Sequence, residues 1–91
     1  MSELEALKEA VEACHGAAAA FIEELPVREV FRSRTVWDGA VFTFALDSHP
    51  TADRCYALRV DGKILTVLHE PPVDSPMAAV RAAIREGYRA R

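Results

Sequence analysis

A chain of 91 residues, 51% hydrophobic and 27% charged with a formal charge of −3, has the make-up of one small globular domain and not of a disordered segment. Its longest uncharged apolar run, Ala17 to Ile22, is too short to span a bilayer, and the acids Glu3, Glu5, Glu9 and Glu12 ahead of it have the wrong sign for a signal peptide. Two cysteines make no disulfide framework, which points to a reducing cytoplasm.

The first predicted element is a helix over 3–25. Ser2 and Glu5 form an S-x-x-E capping box at its start. Leu4, Leu7, Val11, Cys14, Ala18, Phe21 and Leu25 then recur in steps of three and four, giving one apolar stripe that ends before Pro26. Residues 27–69 are dense in β-formers, and Asp-Gly occurs at 38–39 and 61–62, the strongest short hairpin signal. Four strands follow from this, over 27–37, 40–47, 54–60 and 63–69. After a loop from Pro71, a second helix is predicted over 76–89, with Ser75 as N-cap and Pro76 in the first position.

The expected fold class is therefore α+β: a two-layer sandwich of helix, four-stranded antiparallel meander and helix, with both helices on one sheet face. With two-residue turns at both Asp-Gly pairs, strand parity puts most aromatics under the helices. The reverse, open face would carry Val30, Arg32, Arg34, Val36, Val41, Thr43, Ala45, Cys55, Ala57, Arg59, Ile64, Thr66 and Leu68. Apolar side chains rimmed by arginine are what a contact surface presents. A three-residue loop with a bulge at Gly39 would reverse the parity of the first strand.

Tracing strand directions gathers Asp47, His49, Asp53, Arg54, His69, Glu70 and Asp74 at one edge. Histidines and carboxylates together suit a metal or acid–base chemistry, with His49 and His69 as ligands or bases. No established ligand spacing is present, and His49 before Pro50 equally suits a turn. The helix start from Ser75 to Ala78, with Arg54 nearby, could hold an anion. Cys14 reads as a small seam hydrophobe. Cys55, beside Arg59 and Arg32 on the open face, would have a depressed thiol pKa but lacks a base. Residues 26–91 carry ten bases and eight acids against a charge of −5 over the first 25. Arg81, Arg85 and Arg89 stripe the second helix, but no basic cluster marks its start and no aromatics stud the open face, which argues against nucleic acid.

The strings V-W-D-G-A-V-F-T-F at 36–44, H-P-T-A-D-R-C-Y-A at 49–57 and L-H-E-P-P-V-D-S-P-M-A-A-V-R-A-A-I at 68–84 resemble a group of small uncharacterised bacterial proteins. The resemblance covers about half the chain. It implies a bacterial, cytoplasmic origin and supplies no activity or functional residue, and Leu58 and Arg59 depart from the group's more polar and aromatic continuation.

The expectation is thus a non-enzymatic interaction module without a cofactor, forming a homodimer or binding another protein. Its open face would use Val30, Arg32, Arg34, Val36, Val41, Arg59, Ile64 and Leu68. The competing expectation is a small-ligand or metal-binding domain, catalytic in one version, at the polar edge around His49 and His69.

Overall fold

A computed structural model describes residues 2–60 and 62–89, with side chains through Arg85. Its elements are α1 (Glu3–His15), β1 (Ala18–Phe31), β2 (Arg34–Asp47), β3 (Arg54–Val60), β4 (Lys63–Leu68) and α2 (Pro76–Arg89). The strands form one antiparallel sheet in the order β1-β2-β3-β4. The α+β class and the helix, meander, helix order are as expected.

Two boundaries differ from expectation. The helix expected over 3–25 stops at His15, because Gly16 takes the left-handed conformation (φ 64°, ψ 29°) and its N–H bonds the Glu12 carbonyl at 2.9 Å. Glu12 then turns its carboxylate to accept from the Ala19 N–H at 3.0 Å, which seats the next segment as a strand. Ala18, Phe21 and Leu25 thus fit a helical spacing yet lie in β1. Pro26 sits within β1, a tolerated place on an edge strand.

The first hairpin turns at Arg32 and Ser33, both at positive φ (52° and 62°), and not at Asp38-Gly39. Gly39 is a strand residue opposite Val27. A Cβ there would come within 3.1 Å of two carbons of the Trp37 ring, so glycine makes room for the indole. Trp37 Nε1 donates to the Arg59 carbonyl at 2.8 Å, tying β2 to β3 past Phe42 and Ala57, where their regular pairing ends. β3 and β4 pair from Val60 and Lys63 onward, with Leu58 opposite Leu65 and Tyr56 opposite Val67 as expected and Gly62 at positive φ (79°); Asp61 of the expected turn lies outside the described residues.

The helices cover opposite faces of the sheet, which corrects the two-layer arrangement. Leu7 and Val11 of α1 pack with Phe44, Cys55 and Ala57. Ala79, Val80 and Ala83 of α2 pack with Val41, Tyr56 and Leu58. Successive strand residues point to opposite faces, so the unbroken burial of Cys55 to Leu58 requires cover on both. The layers run α1, sheet, α2. Completely burying each valine, leucine or phenylalanine side chain among them contributes about 1.5–3 kcal/mol, and the two clusters anchor the helices independently.

Candidate functional site

No open sheet face exists among the described residues, so the residues expected to share one are dispersed. Val41 is wholly buried in the α2 cluster, while Ile64 and Leu68 pack against the α1 cluster. Arg59 is bound to Glu3 through Nε to Oε1 (2.6 Å) and Nη2 to Oε2 (3.0 Å), fastening the start of α1 to β3. That pairing holds the Glu3 carboxyl below its ordinary pKa and raises that of Arg59. Val30, Arg32, Arg34 and Val36 remain exposed at the β1–β2 turn, with the Arg32 guanidinium over the Phe31 ring at 5.2 Å. Two phases differ from the expected list: a turn at 38–39 put residues 30–36 in step with Val41, and the observed β2–β3 register sets Cys55 and Ala57 on the face of Phe44 and Phe42 instead of that of Val41 and Thr43.

The polar edge forms, but its histidines serve the loops. His49, Asp53 and His69 line one shallow depression of 430 Å³ with Ser48 and Thr51. His49 Nδ1 accepts from the N–H groups of Thr51 (3.2 Å) and Ala52 (3.1 Å), which shapes the turn after Pro50. His69 Nδ1 pairs with the Tyr56 hydroxyl at 2.7 Å. Burial raises the Tyr56 pKa, and the nearby Asp74, Glu23 and Asp53 add to that against Arg54. Among the described residues, no three His, Cys, Asp or Glu side chains converge to hold a metal. Cys55 is buried and its thiol is pushed up to about 12, chiefly by burial, opposite to the depressed value expected on an open face. Cys14, expected on the apolar seam, is exposed. At the start of α2, Ser75 Oγ accepts from the Ala78 N–H at 3.2 Å, so this donor is already used.

One feature escaped the sequence reading. The free edge of β4 lies at the floor of a 690 Å³ groove between the two helices. Ala10, Cys14 and His15 of α1 form one wall, and Ala82, Ala83 and Arg85 of α2 form the other. His15 Nε2 meets Thr66 Oγ1 at 2.8 Å, holding the end of α1 against β4. Burial lowers the His15 pKa, reinforced by His49 and opposed by Glu70. The Glu70 carboxylate in turn accepts from Thr51 Oγ1, joining the groove to the loop before β3.

Strand phase tells which main-chain groups face the groove. The His69 N–H bonds the Arg54 carbonyl at 3.0 Å, so residue 69 faces inward to β3. Antiparallel alternation then turns Leu65 and Val67 inward and Ile64, Thr66 and Leu68 outward. The Leu68 carbonyl is taken by the Glu70 N–H at 3.0 Å. Among the described residues, nothing is bonded to the outward N–H and C=O groups of Ile64 and Thr66. A signal was present in Ile64-Leu65-Thr66-Val67-Leu68: a near-continuous apolar run on the last strand of a meander means an edge strand covered on both faces.

Comparison of the chain with protein-family models, curated proteins and solved structures finds no match in any of the three. No helix among the described residues is long and apolar enough to cross a membrane.

Proposed function

We propose that this protein is a non-enzymatic interaction module that captures an extended segment of a partner polypeptide as a fifth strand along β4. The observation that carries this reading is the outward main chain of Ile64 and Thr66, unpaired on the floor of an apolar groove. An incoming strand would satisfy those groups, while its alternate side chains meet the Ala10–Cys14 wall and the Ala82–Ala83 wall. The small wall residues leave room for bulky apolar side chains, and Glu70 and Arg85 add one charge of each sign to the lining. Helices over both faces favour a single extended chain over the edge of another sheet, which brings its own covering layers. The buried Cys55 thiol and the loop-bound histidines support a binding role over catalysis.

The test is selection from a displayed library of random linear peptides, followed by amide NMR of the labelled protein with a selected peptide. Binding should shift the Ile64 and Thr66 amides and slow their hydrogen exchange. Thr66→Pro deletes an outward N–H without touching the inward ladder, and should weaken binding at least tenfold. Ala82→Arg, which fills the groove from a half-buried helix position, should do the same. Failure to enrich any peptide, or shifts confined to other residues, would overturn the reading.

A further inference from the structure

The tip of the first hairpin points to an anionic lipid surface. β1 and β2 run past β3 as a two-stranded ribbon, because among the described residues the tie between β2 and β3 nearest the tip is the Trp37 bond to the Arg59 carbonyl. At about 3.3 Å per residue, Arg34 stands roughly 10 Å beyond Trp37. Three large apolar side chains lie exposed at this end, Val30 (49%), Phe31 (62%) and Val36 (39%).

The turn itself is strained. Phe31 pairs with Arg34 across it, so Arg32 and Ser33 are its central residues, both at positive φ (52° and 62°). Asn-Gly or Gly-Gly fills that pattern without strain. A side chain kept against the preference of its backbone marks a position held for another purpose. What Arg32 places at the apex is a guanidinium over the Phe31 ring, 5.2 Å from its centroid.

Charge at the tip has one sign. No acid occurs from Val30 to Trp37. The flanking acids are engaged, Glu29 by Arg81 Nε at 2.9 Å and Asp38 by Arg28 at 3.6 Å. Arg32 and Arg34 have no carboxylate partner among the described residues. The chain as a whole carries −3, so an anionic surface attracts it tip first, with screening over about 8 Å holding the body's acids out of range.

Strand alternation sets the shape of the partner. Val30 shares one face of the ribbon with Thr35, while Phe31 shares the other with Arg34. A rigid surface covers one such face, whereas a fluid interface closes around both. We propose that the 30–36 tip inserts end-on into the headgroup region of an anionic bilayer. Val30, Phe31 and Val36 then reach the acyl boundary, and the long side chains of Arg32 and Arg34 return to the lipid phosphates.

Co-sedimentation with vesicles of phosphatidylcholine containing about 30% phosphatidylserine, against phosphatidylcholine alone, tests this. The chain should pellet with the anionic vesicles only, and less as salt rises. Arg32→Glu with Arg34→Glu should lower the partition coefficient at least tenfold. Phe31→Ser, at an exposed position outside both core clusters, should lower it about fivefold with an unchanged circular dichroism spectrum. Arg32→Asn with Ser33→Gly should raise Tm by relieving the turn and still weaken binding. A wild-type chain that stays in the supernatant, equal binding to both vesicles, or full binding by either arginine variant or by Phe31→Ser would each overturn the proposal. Binding to single-stranded DNA that matches the anionic vesicles and ignores Phe31→Ser would also overturn it, assigning the tip to a soluble polyanion. None of these outcomes bears on peptide capture at β4, which is read separately from the Ile64 and Thr66 amides.

Discussion

Placing the helices on opposite faces of the sheet predicts that their cores fail independently. Val11 of α1 and Val80 of α2 are both wholly buried, one in each cluster. Val→Ala at either site removes two methylene equivalents, about 1.6 kcal/mol of transfer free energy, and the residual cavity raises this to about 2 kcal/mol. A chain of 91 residues has a total stability of about 5–14 kcal/mol, so both single variants and the double variant remain folded. Urea unfolding with a slope of about 1 kcal/mol per molar then moves the midpoint by about 2 M for each single change. The sheet separates the two sites, so the double variant should lose the sum to within about 0.5 kcal/mol. Were the helices side by side on one face, the valines would share a cluster and couple. A coupling above about 1 kcal/mol, or either single change costing less than about 0.5 kcal/mol, would refute the three-layer packing.

Three further expectations follow from individual groups. Thr43 Oγ1 is buried with no partner among the described residues, so Thr43→Val should stabilise by about 1 kcal/mol, read as a rise of about 4–8 °C in Tm; an unchanged or lower Tm would mean the hydroxyl is satisfied. In the native protein Cys14 should react with a thiol reagent at once and Cys55 only as the chain unfolds, since Cys14 is exposed while burial holds Cys55 near 12; two equally fast thiols would contradict this. The His15 pKa is lowered on folding, so the unfolded chain takes up the proton first and stability falls as pH drops through the ordinary imidazole value of 6.5. His15→Gln should flatten the stability profile between pH 7 and 5, and an unchanged slope would assign that dependence elsewhere.

The fold class was legible because its signals were local and agreed with one another. The Ser2 cap, the pairing of Val60 with Lys63 beside Gly62 and the Ser75-Pro76 helix start each act within a few residues, and each appears in the structure. The errors arose where local preference met tertiary context. The alanines from 17 to 20 favour helix, but Gly16 ends the helix and β2 captures Ala18 to Ala20 as strand. Asp38-Gly39 has the composition of a turn, yet its glycine accommodates the Trp37 ring, a contact 22 residues in sequence from the carbonyl that the indole binds. Arg32-Ser33 turns the chain without the Gly, Asn or Asp that tolerate a left-handed backbone, at two positive φ angles that neither side chain favours. That misplacement set residues 30–36 in the wrong phase with 41–45, and the pairing of Phe42 with Ala57, fixed across the 48–53 connection, separately removes Cys55 and Ala57 from the face of Val41 and Thr43. The candidate site was harder to read, because a groove needs the positions of two helices relative to an edge and no short motif encodes those.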